Sequence, residues 1–302
     1  TLLNALKNGR LHHSLLFTGP RGTGKTSTAR ILAKALRCPN DDTGASQEAL
    51  DIAHGRSVDV SEIDGASNNG VDAIRELRDT VGYMPSSGDY KVYIIDEVHM
   101  LSTAAFNALL KTLEEPPGHV VFILCTTEVH KIPNTILSRC QRYDFRRIPI
   151  RQVQAKLQQI CEAENVSANP DALWLVAKQG EGSMRDAQSL LDQVITFCGT
   201  EITTDQVSQV LGLTDRSLLV ATLEGLVNRD VPAVLETLKK IVASGFEPRI
   251  FVQELLEEVR NLLMVKTVSQ NPQEVVDLPE VETQRLQKRA QGMSRENIHL
   301  PF

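Results

Sequence analysis

Leu15-Leu16-Phe17-Thr18-Gly19-Pro20-Arg21-Gly22-Thr23-Gly24-Lys25-Thr26 is the stretch that decides the fold. An apolar run, residues 14–18, enters a turn of the form G-x-x-x-x-G-K-[ST], and a helical pattern opening Ser27-Thr28-Ala29-Arg30 leaves it. Glycines let main-chain N–H groups turn inward and approach phosphate oxygens. The helix N-terminus adds the positive end of its dipole. Lys25 is expected to reach the β- and γ-phosphates of ATP, and the Thr26 hydroxyl to ligate Mg²⁺. The predicted nucleotide-binding set on this loop is Gly19, Pro20, Arg21, Gly22, Thr23, Gly24, Lys25, Thr26 and Ser27. A glycine-rich turn with a stray lysine would need neither the strand before it nor the helix after it.

Outward from the loop, short apolar runs alternate with amphipathic stretches. Strands are predicted at 14–18, 58–63, 91–95, 120–126 and 141–145, with helices at 25–37, 46–54, 71–81, 103–114 and 133–138. That alternation predicts an α/β domain, a parallel sheet with helices on both faces. Val92-Tyr93-Ile94-Ile95 is apolar throughout, as a central parallel strand is, and runs directly into Asp96-Glu97. A carboxylate there sits at the carboxyl edge of the sheet, where ligands bind. Asp96 is expected to hold Mg²⁺, and Glu97 to orient and polarise an attacking water. A glutamate beside the metal-binding aspartate favours hydrolysis over binding alone.

After Ile148 the strand signals stop. Helices are predicted at 151–165, 170–179, 183–197 and 204–211, and a second helical block from about 217 to 267. Three domains follow: 1–148, nucleotide-binding; 149–212, helical; and 213–302, a further helical domain. The stretch from Pro272 to Phe302 is charged and less regular, and Leu300-Pro301-Phe302 looks like a helix cut short. Because Thr1 already stands inside a helical pattern, the chain is expected to be a fragment.

Composition narrows the functions. The net charge of −6 and the 4% aromatic content argue against a free-standing base-stacking nucleic-acid module. Five scattered cysteines make a disulfide framework improbable. With no 18-residue apolar run and no signal peptide, a cytoplasmic protein is expected and no membrane partner.

Four further stretches carry a resemblance: Gly9-Arg10-Leu11-His12-His13; Asp96-Glu97-Val98-His99-Met100-Leu101; the run Phe106-Asn107-Ala108-Leu109-Leu110-Lys111-Thr112-Leu113-Glu114-Glu115-Pro116-Pro117; and Ile136-Leu137-Ser138-Arg139-Cys140. With the phosphate loop, they make the chain resemble the AAA+ ATPases. Within these it is most similar to the gamma/tau family of bacterial DNA polymerase III, the clamp-loader motor subunits. The resemblance implies a motor that uses ATP to open a sliding clamp and load it onto primer–template DNA, as part of a DNA-directed DNA polymerase holoenzyme. It implies other clamp-loader subunits, the clamp and DNA as partners, and an oligomerising collar, incomplete here, for residues 213–302. It also implies residue roles. Thr127 matches sensor 1, a polar group near the γ-phosphate. Arg139 matches the arginine finger that reaches a neighbour's nucleotide. Arg185, in Gly182-Ser183-Met184-Arg185-Asp186, matches sensor 2, which touches nucleotide in cis.

The chain departs from that family where a small zinc module is usual. Cys38 remains, but Thr43, Ser46 and Ala49 stand at the three other cysteine positions. Hydroxyl and methyl groups do not replace thiolates around Zn²⁺, so no zinc is expected, and Cys38 reads as a small buried residue. Residues 12, 13, 54, 99, 119, 130 and 299 are histidines without metal-ligand spacing, and His99 reads as a packing or hydrogen-bonding residue. Cys125, Cys140, Cys161 and Cys198 read as core. Arg75, Arg78 and Lys111 could face DNA, though a solvated helix face explains them as well. Two other functions fit less well. A non-hydrolysing scaffold subunit does not need intact Lys25, Thr26, Asp96 and Glu97. A protein-remodelling enzyme wants an aromatic pore loop, and Gly65-Ala66-Ser67-Asn68-Asn69-Gly70 has no aromatic residue.

Overall fold

A computed structural model describes residues 2–41, 43–213, 216–243, 247–268, 276 and 280–292. The chain divides into two compact units, residues 1–148 and 149–302.

In the first unit the elements run α1 (Leu2–Lys7), β1 (Ser14–Thr18), α2 (Lys25–Arg37), α3 (Gln47–Ala53), β2 (Val60–Asp64), α4 (Val71–Val81), β3 (Lys91–Asp96), α5 (Thr103–Glu114), β4 (Val120–Thr126), α6 (Asn134–Leu137) and β5 (Gln141–Asp144). The five strands form one sheet in the order β2-β3-β4-β1-β5, and every pairing is parallel. Alternation of side chains along each strand sorts the core into two layers. Leu16, Tyr93, Ile95, Phe122 and Leu124 pack with Ile74 and Leu77 of α4 and Phe106 and Leu109 of α5. Their neighbours Leu15, Phe17, Val92, Ile94, Val121, Ile123 and Cys125 pack with Ala29, Leu32 and Ala33 of α2 and Ile52 of α3. Burial on both faces explains why β1 and β4 contain no exposed residue. The edge strand β2 starts two residues later than predicted, because Val58 is exposed rather than paired.

The second unit is mostly helical: α7 (Ile150–Ala163), α8 (Pro170–Gln179), α9 (Met184–Cys198), α10 (Thr204–Val210), α11 (Arg216–Val227), α12 (Val231–Ala243), α13 (Pro248–Thr267) and α14 (Glu280–Gly292). Its starts follow local chemistry. Asn169 caps α8, whose first residue is Pro170; Ser183 caps α9; Thr203 and Gln206 form a reciprocal capping box on α10. One expectation needs correction. Strand pairing does not stop at Ile148: Ser167–Ala168 pairs in parallel with Glu201–Ile202, a bridge too short to leave a periodic signal. The charged tail holds α14. Leu300-Pro301-Phe302 lies outside the described residues. Cys125 and Cys161 are buried as expected, whereas Cys38, Cys140 and Cys198 are only partly so. Among the described residues no helix is long and apolar enough to cross a membrane.

One buried ion pair closes the start of β2 against the end of α2. Arg37 and Asp59 side chains are 1% and 3% exposed and meet at 2.8 Å. Arg37 also donates to the carbonyl oxygens of Ser87 and Tyr90, and Ser86 donates its N–H and hydroxyl to Asp59. Burial alone would raise the Asp59 pKa, but the Ser86 hydrogen bonds and the Arg37 charge together hold it below the usual carboxylate value. Removing one partner of such a pair leaves a buried charge uncompensated. Arg37→Met should therefore cost about 3–5 kcal/mol in urea denaturation. In the unaltered protein the Asp59 contribution is fully present above the unfolded carboxylate pKa of about 3.9. It is lost as pH falls through the lower folded value, which acid titration of the denaturation midpoint will detect.

Candidate active site

The loop after β1 is shaped by glycine where nothing larger fits. Gly19 has φ +146°, donates its N–H to the Thr126 carbonyl at 3.2 Å, and would place a Cβ 2.2 Å from the Phe145 carbonyl oxygen. Gly24, at φ 93°, precedes α2 with no side-chain cap, so the first N–H groups of that helix are left for a ligand. Lys25 is buried and curls back over the loop, donating to the carbonyls of Gly19 at 2.9 Å and Pro20 at 2.8 Å. Burial lowers its pKa, while Glu97, Cys125 and Asp96 act in the opposite sense. Pro20, Arg21 and Ser27 lie exposed around this core, and Thr23 is buried with its hydroxyl on the Pro20 carbonyl.

Strand order brings the remaining groups to the same edge. β4 lies between β1 and β3, so the ends of all three are neighbours. The Thr26 hydroxyl donates to Asp96 Oδ2 at 2.5 Å, and Glu97 N–H donates to Asp96 Oδ1 at 2.9 Å. A hydroxyl beside a carboxylate is a hard-oxygen donor set that suits Mg²⁺. Glu97 itself is left-handed, at φ 43° and ψ 44°, a conformation a non-glycine residue holds only where its surroundings impose it. Gly65 is part of that imposition. Its N–H donates to the Asp96 carbonyl at 2.8 Å, and a Cβ there would lie 2.8 Å from the Glu97 carbonyl oxygen. The twist turns the Glu97 carboxylate toward the end of β4, where Thr127 Oγ1 donates to its Oε2 at 3.1 Å. His99 also reaches this oxygen, with Nδ1 3.3 Å away.

The structure does not gather all the predicted residues at one place. Arg139 precedes β5 and stands beside residues 12 and 13, which precede β1. It is therefore at the amino edge of the sheet, across the strands from Lys25. There it donates to the Thr135 carbonyl at 2.7 Å and to Glu114 Oε1 at 2.5 Å, and it lines an open groove of about 660 Å³ with His12, His13, Leu113 and Pro116. Arg185 is exposed in the first turn of α9, in the second unit. Sequence reasoning missed Gly65 because its necessity comes from a strand-end neighbour more than thirty residues later in the chain.

The segment that departs from the zinc-module pattern is organised by a carboxylate. Asp41 accepts from Thr43 N–H and hydroxyl at 3.2 and 2.9 Å, and from Ser46 N–H at 2.9 Å. These hydrogen bonds hold the Asp41 carboxyl well below its usual pKa. The Ser46 hydroxyl caps α3 and lies 3.7 Å from Cys38 Sγ, and Ala49 is buried.

Three family models match successive parts of the chain. Residues 1–149 match the family model of the DNA polymerase III delta subunit, 152–200 that of the clamp-loader subunit ATPase lid domain, and 202–302 that of gamma and tau domain III. The tau subunit of Bacillus subtilis DNA polymerase III is 46% identical over 271 residues, 88% of this chain and 48% of that protein. The Escherichia coli tau subunit is 43% identical over 88% of this chain and 42% of its own length. The gamma subunit of Buchnera aphidicola is 39% identical over 88% of this chain and 73% of its own. The chain belongs to the gamma/tau family of DNA polymerase III subunits. It spans about half the length of the first of these relatives. Among solved structures, the Thermotoga maritima RuvB Holliday junction branch migration motor superposes with a TM-score of 0.52 at 19% identity, covering 82% of this chain and 78% of that one. That likeness establishes the AAA+ fold and nothing finer.

Two roles are proposed: Lys25 exchanges its loop carbonyls for phosphate oxygens, and Glu97 polarises a water. Lys25→Ala should abolish binding of a fluorescent ATP analogue, whereas Glu97→Gln should bind it normally and lose hydrolysis; equal loss of affinity in both would contradict the split. Elemental analysis of the purified chain should find no stoichiometric zinc, because Thr43, Ser46 and Ala49 offer no thiolate.

Proposed function

We propose that this chain is an ATP-hydrolysing motor subunit of the polymerase III clamp loader, acting in the bacterial cytoplasm with other loader subunits, the sliding clamp and primer–template DNA. One observation carries the reading. Lys25, Thr26, Asp96, Glu97 and Thr127 meet at the carboxyl edge of the sheet, while Arg139 stands at the amino edge. A chain with its own finger on the far edge completes hydrolysis only beside a neighbour, which is what a subunit of an arc requires.

The residues then divide the work. Main-chain N–H groups of residues 21–27, at the loop and the N-terminus of α2, cradle the phosphates, and Lys25 pairs with the β- and γ-oxygens. Thr26 and Asp96 would hold Mg²⁺, which would supply positive charge against the phosphate oxygens. Glu97 orients a water in line with the γ-phosphorus and takes up its proton. Thr127 steadies Glu97 and reads the γ-phosphate as sensor 1, and Arg185 touches nucleotide as sensor 2 from the lid, residues 149–212. A neighbour's Arg139 neutralises charge developing on the transferred group. Residues 213–302 serve as the collar through which subunits assemble.

Arg139→Ala tests the reading. ATP affinity of the isolated chain should stay the same, and DNA-stimulated turnover of the assembled loader should fall on the order of 10³-fold. A Lys25→Ala chain that retains Arg139 should restore part of that activity when mixed in. Unfolding, or a parallel loss of monomer affinity, would make Arg139 a structural residue.

A further inference from the structure

Of the side chains around the Glu97 carboxylate, His99 has no part in the reaction described above, and its surroundings are unusual for a packing residue. It sits on the single turn Val98–Met100 that the left-handed Glu97 initiates, and its side chain is only 8% exposed. Both ring nitrogens face carboxylates. Nδ1 lies 3.3 Å from Glu97 Oε2 and 3.0 Å from Thr126 Oγ1; Nε2 lies 3.5 Å from Glu128 Oε2. The two carboxylates belong to different strand ends, and each has a second anchor. Thr127 donates to Glu97, and Lys131 pairs with Glu128. Glu128 is further fixed by its N–H, which donates to Thr126 Oγ1 at 3.0 Å.

We infer that His99 is a positioning residue for Glu97, a role that rests on reading Glu97 as the group that orients the attacking water. The ring meets that carboxylate at Nδ1, which is hydrogen-bonded to Thr126 Oγ1 at 3.0 Å and lies 3.3 Å from Glu97 Oε2. The Thr127 hydrogen bond and the His99 ring contact fall on the same oxygen, Oε2. Among the described residues no group donates to Oε1, which is left to accept from water. Pinning one oxygen at two points sets the direction of the other. Thr126, hydrogen-bonded to the ring at Nδ1, sets the ring's own tilt, and Glu128 flanks its far side. The arrangement is a base oriented by a second group that is itself oriented by a third. Hydrogen-bond reach to the water is about 2.6–3.2 Å, and a misplacement of about 1 Å can cost about 10²-fold in rate.

The test compares three variants in steady-state ATPase assays of the assembled protein, alongside wild type and Glu97→Gln. His99→Ala should lower kcat roughly 10²-fold with KM for ATP and affinity for ADP unchanged. His99→Asn should recover most of the loss, because its amide nitrogen branches from Cγ where Nδ1 does. His99→Gln should not, since its longer side chain carries the amide toward Glu128. An unchanged kcat in His99→Ala, a KM that rises as kcat falls, or equal recovery by Asn and Gln would each overturn the assignment. Should the alanine variant fail to fold, the Asn and Gln pair decides alone. A wild type that does not hydrolyse ATP, or a Glu97→Gln variant that does so normally, overturns the underlying reading and this one with it. Normal wild-type turnover matched by His99→Ala overturns only the role of His99.

Discussion

The parallel pairing of β4 between β1 and β3 sets the level at which three chain segments leave the sheet, and the chemistry follows from that level. Leu16 pairs with Leu124 and Ile95 pairs with Leu124 from the other side. The phosphate loop, the Thr126-Thr127 pair and Asp96-Glu97 consequently emerge side by side. A slip of one residue would exchange the two core layers, moving Phe122 and Leu124 from the α4–α5 face to the α2 face. It would also pull Asp96 away from Thr26. The register is thus held by apolar burial on both faces, and the short bond between Thr26 and Asp96 reports that it is correct.

Seen from this edge, the left-handed backbone at Glu97 has a clear origin. A strand that simply continued would carry the glutamate side chain away from the end of β4. The reversal at Glu97 instead returns the chain within a single turn, so residues 97 and 99 both face Thr126 and Thr127. Gly65 allows the neighbouring segment to close over that reversal. Strain in the backbone and absence of a side chain opposite it are two parts of the same device.

Much of this was legible in the sequence, for identifiable reasons. Helices 25–37, 71–81, 103–114 and 170–179 were read with the ends the structure has, because each has clear apolar spacing and a glycine, serine or asparagine at its start. The pairing of 167–168 with 201–202 was not legible, since two residues carry no period. The start of the 58–63 strand was misplaced because Val58 is apolar yet exposed, and hydrophobicity alone does not distinguish the two. Lys25, Thr26, Asp96 and Glu97 could be named from local order, as strand, turn and helix fix what each can touch. Arg139 could not: without family resemblance it is one surface arginine among many, and its position at the amino edge appears only when β5 is placed beside β1. His99 reads as a packing or hydrogen-bonding residue, but its partners depend on where β4 ends, a fact distributed over the whole sheet.

Lys25, finally, is not waiting with every donor empty. Its ammonium donates to two carbonyls of its own loop, so a ligand that takes up more than the third N–H does so by replacing a carbonyl. The net gain is the difference between an anionic oxygen and a neutral amide oxygen as acceptor. A ligand that offers an uncharged oxygen at that point gains almost nothing from the lysine, and one that offers a phosphate gains the full contrast. The loop therefore discriminates by charge before it discriminates by shape, and a nucleoside lacking its phosphates should be nearly invisible to it.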